Sequence, residues 1–219
     1  MRRLCLLLAL TSIMIGSAAI AVTHGKRVTI FNVGNVRLGM SLPAGFCVPT
    51  ALRVAEADSL ARTDERNETS LTLLACNRNP EISPWSNYVL VKAPKFALHT
   101  AVPKAESLNQ MDAEMRKGTD PDYDKKLSES IANSTEKSMG TRIEMSFKYQ
   151  YAGRDRDCIY MAGPISGKSE LSERSGQMVT CLTVVGQRYF AVNLYEFPAA
   201  QPLEAFKAQV HSIAASIHL

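Results

Sequence analysis

From Thr141 to Tyr151 apolar and polar side chains alternate: Ile143, Met145, Phe147, Tyr149 and Tyr151 against Arg142, Glu144, Ser146, Lys148 and Gln150. Period two puts one set on a packed face and the other in water, which predicts a half-buried β-strand. Ala152-Gly153-Arg154 turns the chain, and Arg156 to Ala162 predicts the next strand. Gln177 to Val185 is apolar on both faces and predicts a central strand. Gly186-Gln187 is a two-residue hairpin connection with glycine first, as a type II′ turn prefers, and Arg188 to Tyr195 returns.

Helical spacing frames this meander. Leu203, Phe206, Val210, Ile213 and Ile217 share one face and predict an amphipathic helix over 203–218. Leu108, Met111 and Met115 predict another over 105–116, closed by Gly118. Asp120 as N-cap, Pro121 and Asp122 open a third over 121–137, with Tyr123, Leu127 and Ile131 as its stripe. Upstream, Val28–Asn32, Asn35–Leu42, Ser70–Cys76 and Asn87–Val91 read as strands. Pro49–Arg66 reads as a helix and Asn79–Ser86 as a loop. The expected fold class is α+β: an antiparallel β-sheet meander flanked by amphipathic helices, one domain over 22–219.

Residues 1–21 read as a signal peptide. Arg2 and Arg3 precede the apolar run Leu4–Ile15, and Ser17-Ala18-Ala19 and Ala19-Ile20-Ala21 both fit a signal-peptidase site. The alternative is an uncleaved anchor, since Leu4–Val22 is uncharged and long enough to span a bilayer. A formal net charge of +4, with basic and acidic residues interspersed, gives no basic face for nucleic acid. The expected location is the bacterial periplasm or the medium, with inner-membrane anchoring through 4–22 as the minority reading.

Export bears on the cysteines. Cys5 leaves with the signal, and Cys47, Cys76, Cys158 and Cys181 remain, an even set suited to disulfides in an oxidising compartment. The expected pairing is local, Cys47 with Cys76 and Cys158 with Cys181; four buried free thiols are the alternative. Zinc spacing is absent from the sequence. If Ala162 faces Gln177 in an antiparallel pair, Cys158 faces Cys181 directly, a geometry that depends on the assumed register.

Motifs add little chemistry. Ala162-Gly163-Pro164-Ile165-Ser166-Gly167-Lys168-Ser169 satisfies a loose phosphate-loop pattern. The segment after it, Glu170–Gln177, is short, contains Gly176 and runs into a strand, where phosphate binding needs a helix. A polar hairpin loop is the expectation, and no nucleotide. Asp120, Asp122 and Asp124 resemble the start of a calcium loop, yet Lys125 and Ile131 stand where glycine and glutamate are required. His24, His99, His211 and His218 form no metal or catalytic motif in sequence. Trp85, the one tryptophan, lies in a proline-bounded loop and is the candidate partner contact. The sequons at Asn67 and Asn133 matter only in a eukaryotic host. No catalytic, cofactor-binding or metal residue is assigned.

The run Val36-Arg37-Leu38-Gly39-Met40-Ser41-Leu42-Pro43-Ala44-Gly45-Phe46 resembles the opening of the PsbP-like superfamily. The C-terminal end is similar too: a hairpin over Val184–Tyr195, Pro198, then a helix carrying Phe206, Val210, Ile213 and Ser216. The resemblance implies an antiparallel sheet with helices on both sides, in proteins that mostly bind partners or assist assembly. It implies no site residue. The expected function is therefore a non-catalytic, disulfide-bonded envelope protein that binds another exported protein, as an accessory or an immunity-type inhibitor. The alternatives are a periplasmic hydrolase with a cleft lined by 79–88 and 163–177, and a small-molecule or lipid carrier.

Overall fold

The computed structural model describes residues 27–50, 53–62, 64–76, 87–118, 122–139, 144–168 and 173–219. The expected signal or anchor, the Asn79–Ser86 loop with Trp85, and the Asp120 cap lie outside the described residues. So do the side chains of Tyr123, Leu127 and Ile131.

The strands are β1 (Val28–Val33), β2 (Val36–Ser41), β3 (Phe46–Cys47), β4 (Asn67–Ala75), β5 (Tyr88–Pro94), β6 (Glu144–Phe147), β7 (Gln150–Arg154), β8 (Ile159–Lys168), β9 (Glu173–Val185), β10 (Arg188–Glu196) and β11 (Ile217–His218). The helices are α1 (Val54–Arg62), α2 (Lys104–Arg116), α3 (Tyr123–Met139) and α4 (Leu203–Ala215). The main sheet runs β3-β4-β5-β10-β9-β8-β6, with β7 also on β8, and every pair in it is antiparallel. A small sheet β1-β2-β11 sits beside it. This is the α+β architecture that the periodicity predicts.

Strand β9 sets the layers, because its neighbouring side chains point to opposite faces. Val179 and Cys181 join Phe206, Val210 and Ile213 of α4 and the inner face of the small sheet. Leu182 packs with Leu108 of α2 and, in partial burial, Met111 and Met115. Met178 joins Ala57 of α1 and the Tyr88, Tyr195 and Phe197 rings. So α4 and the small sheet cover one face, and α1 and α2 the other. Phe206, Val210 and Ile213 are at most 2% exposed, each stabilising by roughly 1.5–3 kcal/mol relative to exposure. Thr180, a polar residue buried in mid-β9, donates to Asn193 Oδ1, and Asn193 donates to the Leu90 carbonyl, so burial leaves neither side chain unsatisfied.

Four expectations are corrected. The 141–151 strand is broken at Lys148–Tyr149, although β6 and the first residues of β7 keep one register on β8: Phe147 faces Ile165 and Gln150 faces Ala162, before a bulge after Tyr151. In the gap the Lys148 amide donates to the Pro164 carbonyl at 3.3 Å, and proline has no N–H to return that bond. Residues 163–168 and 173–177 are strand and not loop, because Gly163–Lys168 pairs with β9 throughout and with β6 at most positions. The strand that begins after Cys158 runs straight through Pro164. The hairpin at Gly186-Gln187 has φ of 57° and 59°; two positive values make it type I′, not II′. Helix α4 stops at Ala215, and Ile217 stays buried by pairing with Met40 as part of β11.

Candidate functional site

The β7–β8 hairpin carries the densest polar chemistry among the described residues. Its turn is built by Asp155. Oδ1 accepts from the amides of Asp157 and Cys158, both at 2.8 Å, and the Asp155 amide donates to the Cys158 carbonyl at 3.0 Å. Short aspartates favour such turns because the carboxylate replaces a backbone acceptor. With Oδ1 occupied, Oδ2 faces outward over β8. Tyr160 lies on the face covered by α4, and its hydroxyl donates to Oδ2 at 2.5 Å. His211 comes from α4, with Nδ1 at 2.8 Å from the Tyr160 hydroxyl and 3.0 Å from Oδ2. One turn earlier on the helix, Lys207 Nζ stands 5.2 Å from the Tyr160 ring and pairs with Glu204.

These contacts set the electrostatics. Partial burial works to raise the Asp155 carboxyl, but the hydrogen bonds from Tyr160 and the two turn amides, with the charge of His211, hold it below its ordinary value. Burial pushes the Tyr160 phenol well above its ordinary range, and the hydrogen bond to Asp155 and the charges of Asp155, Asp157 and Glu204 push the same way. Tyr160 is thus a protonated donor in a negative surround, the reverse of an activated nucleophile. A histidine and a carboxylate meet here, but their third member is this phenol and not a serine.

The same hairpin is held from the opposite face by α2. Lys104 Nζ donates to Asp157 Oδ1 at 2.5 Å. Asp112 accepts from the Tyr151 hydroxyl at 2.7 Å and from Arg116 Nε at 3.0 Å, with Arg154 Nη1 at 3.6 Å. The Tyr151 hydrogen bond, then the two arginines, hold the Asp112 carboxyl below its ordinary value against a desolvation cost. The hairpin is clasped by one helix on each side, and a disulfide ties its turn to β9.

Cys158 bonds Cys181 (S–S 2.04 Å, Cα–Cα 5.1 Å) and Cys47 bonds Cys76 (S–S 2.06 Å, Cα–Cα 5.0 Å), the sequence-local pairing. The register differs from the assumed one: Ala162 faces Val179 and Tyr160 faces Cys181. A two-residue shift keeps Cys158 and Cys181 on the same face of the sheet, so the bridge forms diagonally.

Of the remaining sequence candidates, Lys168 lies in β8 and four residues separate it from β9, which leaves no room for the helix that a phosphate loop requires. His99 and His218 are exposed and apart from the cluster, while Trp85 and His24 lie outside the described residues. Sequence reasoning misses the Asp155–Tyr160–His211 group because His211 is 51 residues from Tyr160 and only the packing of α4 across the sheet brings them together. The readable signals are the turn aspartate at 155 and a histidine beside the apolar stripe of α4.

No family model matches the chain, and no curated protein matches it. Among solved structures it is similar to cyanobacterial PsbP (CyanoP) from Synechocystis sp. PCC 6803. That similarity covers 93% of this chain and 98% of that one, at 10% identity and a TM-score of 0.42. The likeness transfers no residue role to this chain. Among the described residues no helix is long and apolar enough to cross a membrane.

Proposed function

We propose that the chain is an exported protein of the bacterial envelope, periplasmic or secreted, that binds or assists another protein without catalysing a reaction. The observation that carries this reading is the cysteine framework: all four cysteines beyond residue 21 are spent in two bridges, a use of cysteine at home in an oxidising compartment and rare in the cytosol. The apolar leader at 4–15 supplies the route. The polar side chains of the β7–β8 hairpin go into tethering α2 and α4 to the sheet, and the Tyr160 phenol is held protonated. Phe96, in the short 3-10 turn Lys95–Ala97, is 89% exposed, and aromatic side chains are enriched at protein interfaces.

Formaldehyde cross-linking in intact cells, with recovery of the tagged protein from the envelope fraction, tests the reading. The expected result is one partner recovered reproducibly above an unrelated tagged exported protein. Recovery of no such partner, or of the protein in the cytosolic fraction with free thiols, overturns it.

A further inference from the structure

We infer that Asp155 Oδ2, His211 Nδ1 and the Tyr160 hydroxyl form a binding site for a divalent first-row transition metal ion such as Zn²⁺. The donor types suit such an ion: imidazole nitrogen with carboxylate and phenol oxygen. The three donor atoms converge, with the Tyr160 hydroxyl 2.5 Å from Oδ2 and 2.8 Å from Nδ1, and Nδ1 3.0 Å from Oδ2. Ligands about 2.1 Å from a common ion sit about 3.0–3.4 Å apart, so an ion that replaces the hydroxyl proton moves Tyr160 outward by a few tenths of an ångström and leaves the Nδ1–Oδ2 pair where it is. They come from two separate elements, the hairpin turn and α4, so no single local motif accounts for their meeting.

The carboxylate is prepared as a ligand. Oδ1 is pinned by the Asp157 and Cys158 amides, which fixes the direction of Oδ2, as outer-shell hydrogen bonds do in metal sites. Of the acids that bear on Tyr160, Glu204 is paired with Lys207 and Asp157 with Lys104 and Arg156, so the Asp155 carboxylate is the charge left to face a cation. Access is open, since the side chains of His211 and Asp155 are 36% and 40% exposed, leaving room for waters to complete the coordination. The Cys158 sulfur lies in the same group, within 4.8 Å, but is spent in its bridge to Cys181. The Tyr160 hydroxyl carries its proton in the metal-free protein, donating it to Oδ2, and releases that proton when its oxygen takes the ion.

The test is calorimetric titration of the disulfide-intact protein with Zn²⁺, with Mg²⁺ as the hard-ion control, repeated for His211→Gln and Asp155→Asn. One Zn²⁺ site is expected, weakened at least about tenfold in either variant, with no comparable Mg²⁺ site. NMR of the histidine ring protons in the unmutated protein gives a second readout that needs no variant: the His211 signals should shift and saturate at one equivalent. No Zn²⁺ binding up to about 1 mM, equal affinity in both variants, or saturating shifts confined to His99 and His218 would overturn the assignment.

Discussion

Glu196 shows how one buried charge is made tolerable. It ends β10 at 3% exposure, and burial alone would raise its carboxyl. The amides of Ala200 and Gln201 and the side chains of Gln177 and Gln201 all donate to it, and together they hold it below its ordinary value. A folded-state value below the unfolded one means that the native protein binds fewer protons through that window. The contribution is therefore fully present above the ordinary carboxylate range and is lost as pH falls through the folded value. Glu196→Gln should flatten the loss of stability between about pH 5 and pH 3, measured as the urea midpoint. An unchanged acid slope would mean that Glu196 does not couple folding to protons. The sequence marks Glu196 only as a polar residue after an apolar strand, because its four donors come from separate parts of the chain, β9 and the turn beyond β10. Gly163 is similarly silent: a Cβ there would stand 1.7 Å from the Lys148 carbonyl oxygen, a close approach visible only after β7 is laid against β8.

At the scale of elements, periodicity is the reliable guide and punctuation is the unreliable one. The alternation of Met145, Phe147, Tyr149 and Tyr151 survives the break between β6 and β7, since those four are buried or partly buried and Glu144, Ser146, Lys148 and Gln150 are exposed. Gly163-Pro164 reads locally as the end of a strand, yet β8 continues because β9 still pairs with it on the other side. Proline costs β8 one hydrogen bond to the outer strand and leaves that pairing intact. The stripe of α4 is legible, but its last member, Ile217, keeps its burial while changing element. The Cys158–Cys181 bridge closes 23 residues of chain. Replacing both cysteines by serine should destabilise the fold by about 3 kcal/mol, read as a lower denaturant midpoint with a steeper slope, because the unfolded chain loses its cross-link and exposes more surface. A loss below about 0.5 kcal/mol would show that the clasp of α2 and α4 holds the hairpin without the bridge.

For the whole molecule, fold class and covalent framework are legible and the candidate site is not, for one physical reason. Strand and helix periodicities are properties of contiguous residues. Local pairing of cysteines likewise comes from neighbouring strands. The Asp155–Tyr160–His211 group instead depends on how the last helix returns across the sheet, a long-range event that no window of sequence contains. The proposed export would unite two remaining features: the apolar run at 4–15, and bridges that tie β3 to the residue after β4 and the residue before β8 to β9. The most direct test of export with local bridging is mass spectrometry of unreduced peptides from protein recovered from the envelope fraction of its host. The predicted result is Cys47–Cys76 and Cys158–Cys181 linked peptides and a mature N-terminus just after Ala19 or Ala21. Free thiols at these positions, or Cys47 linked to Cys158 or Cys181, would contradict it.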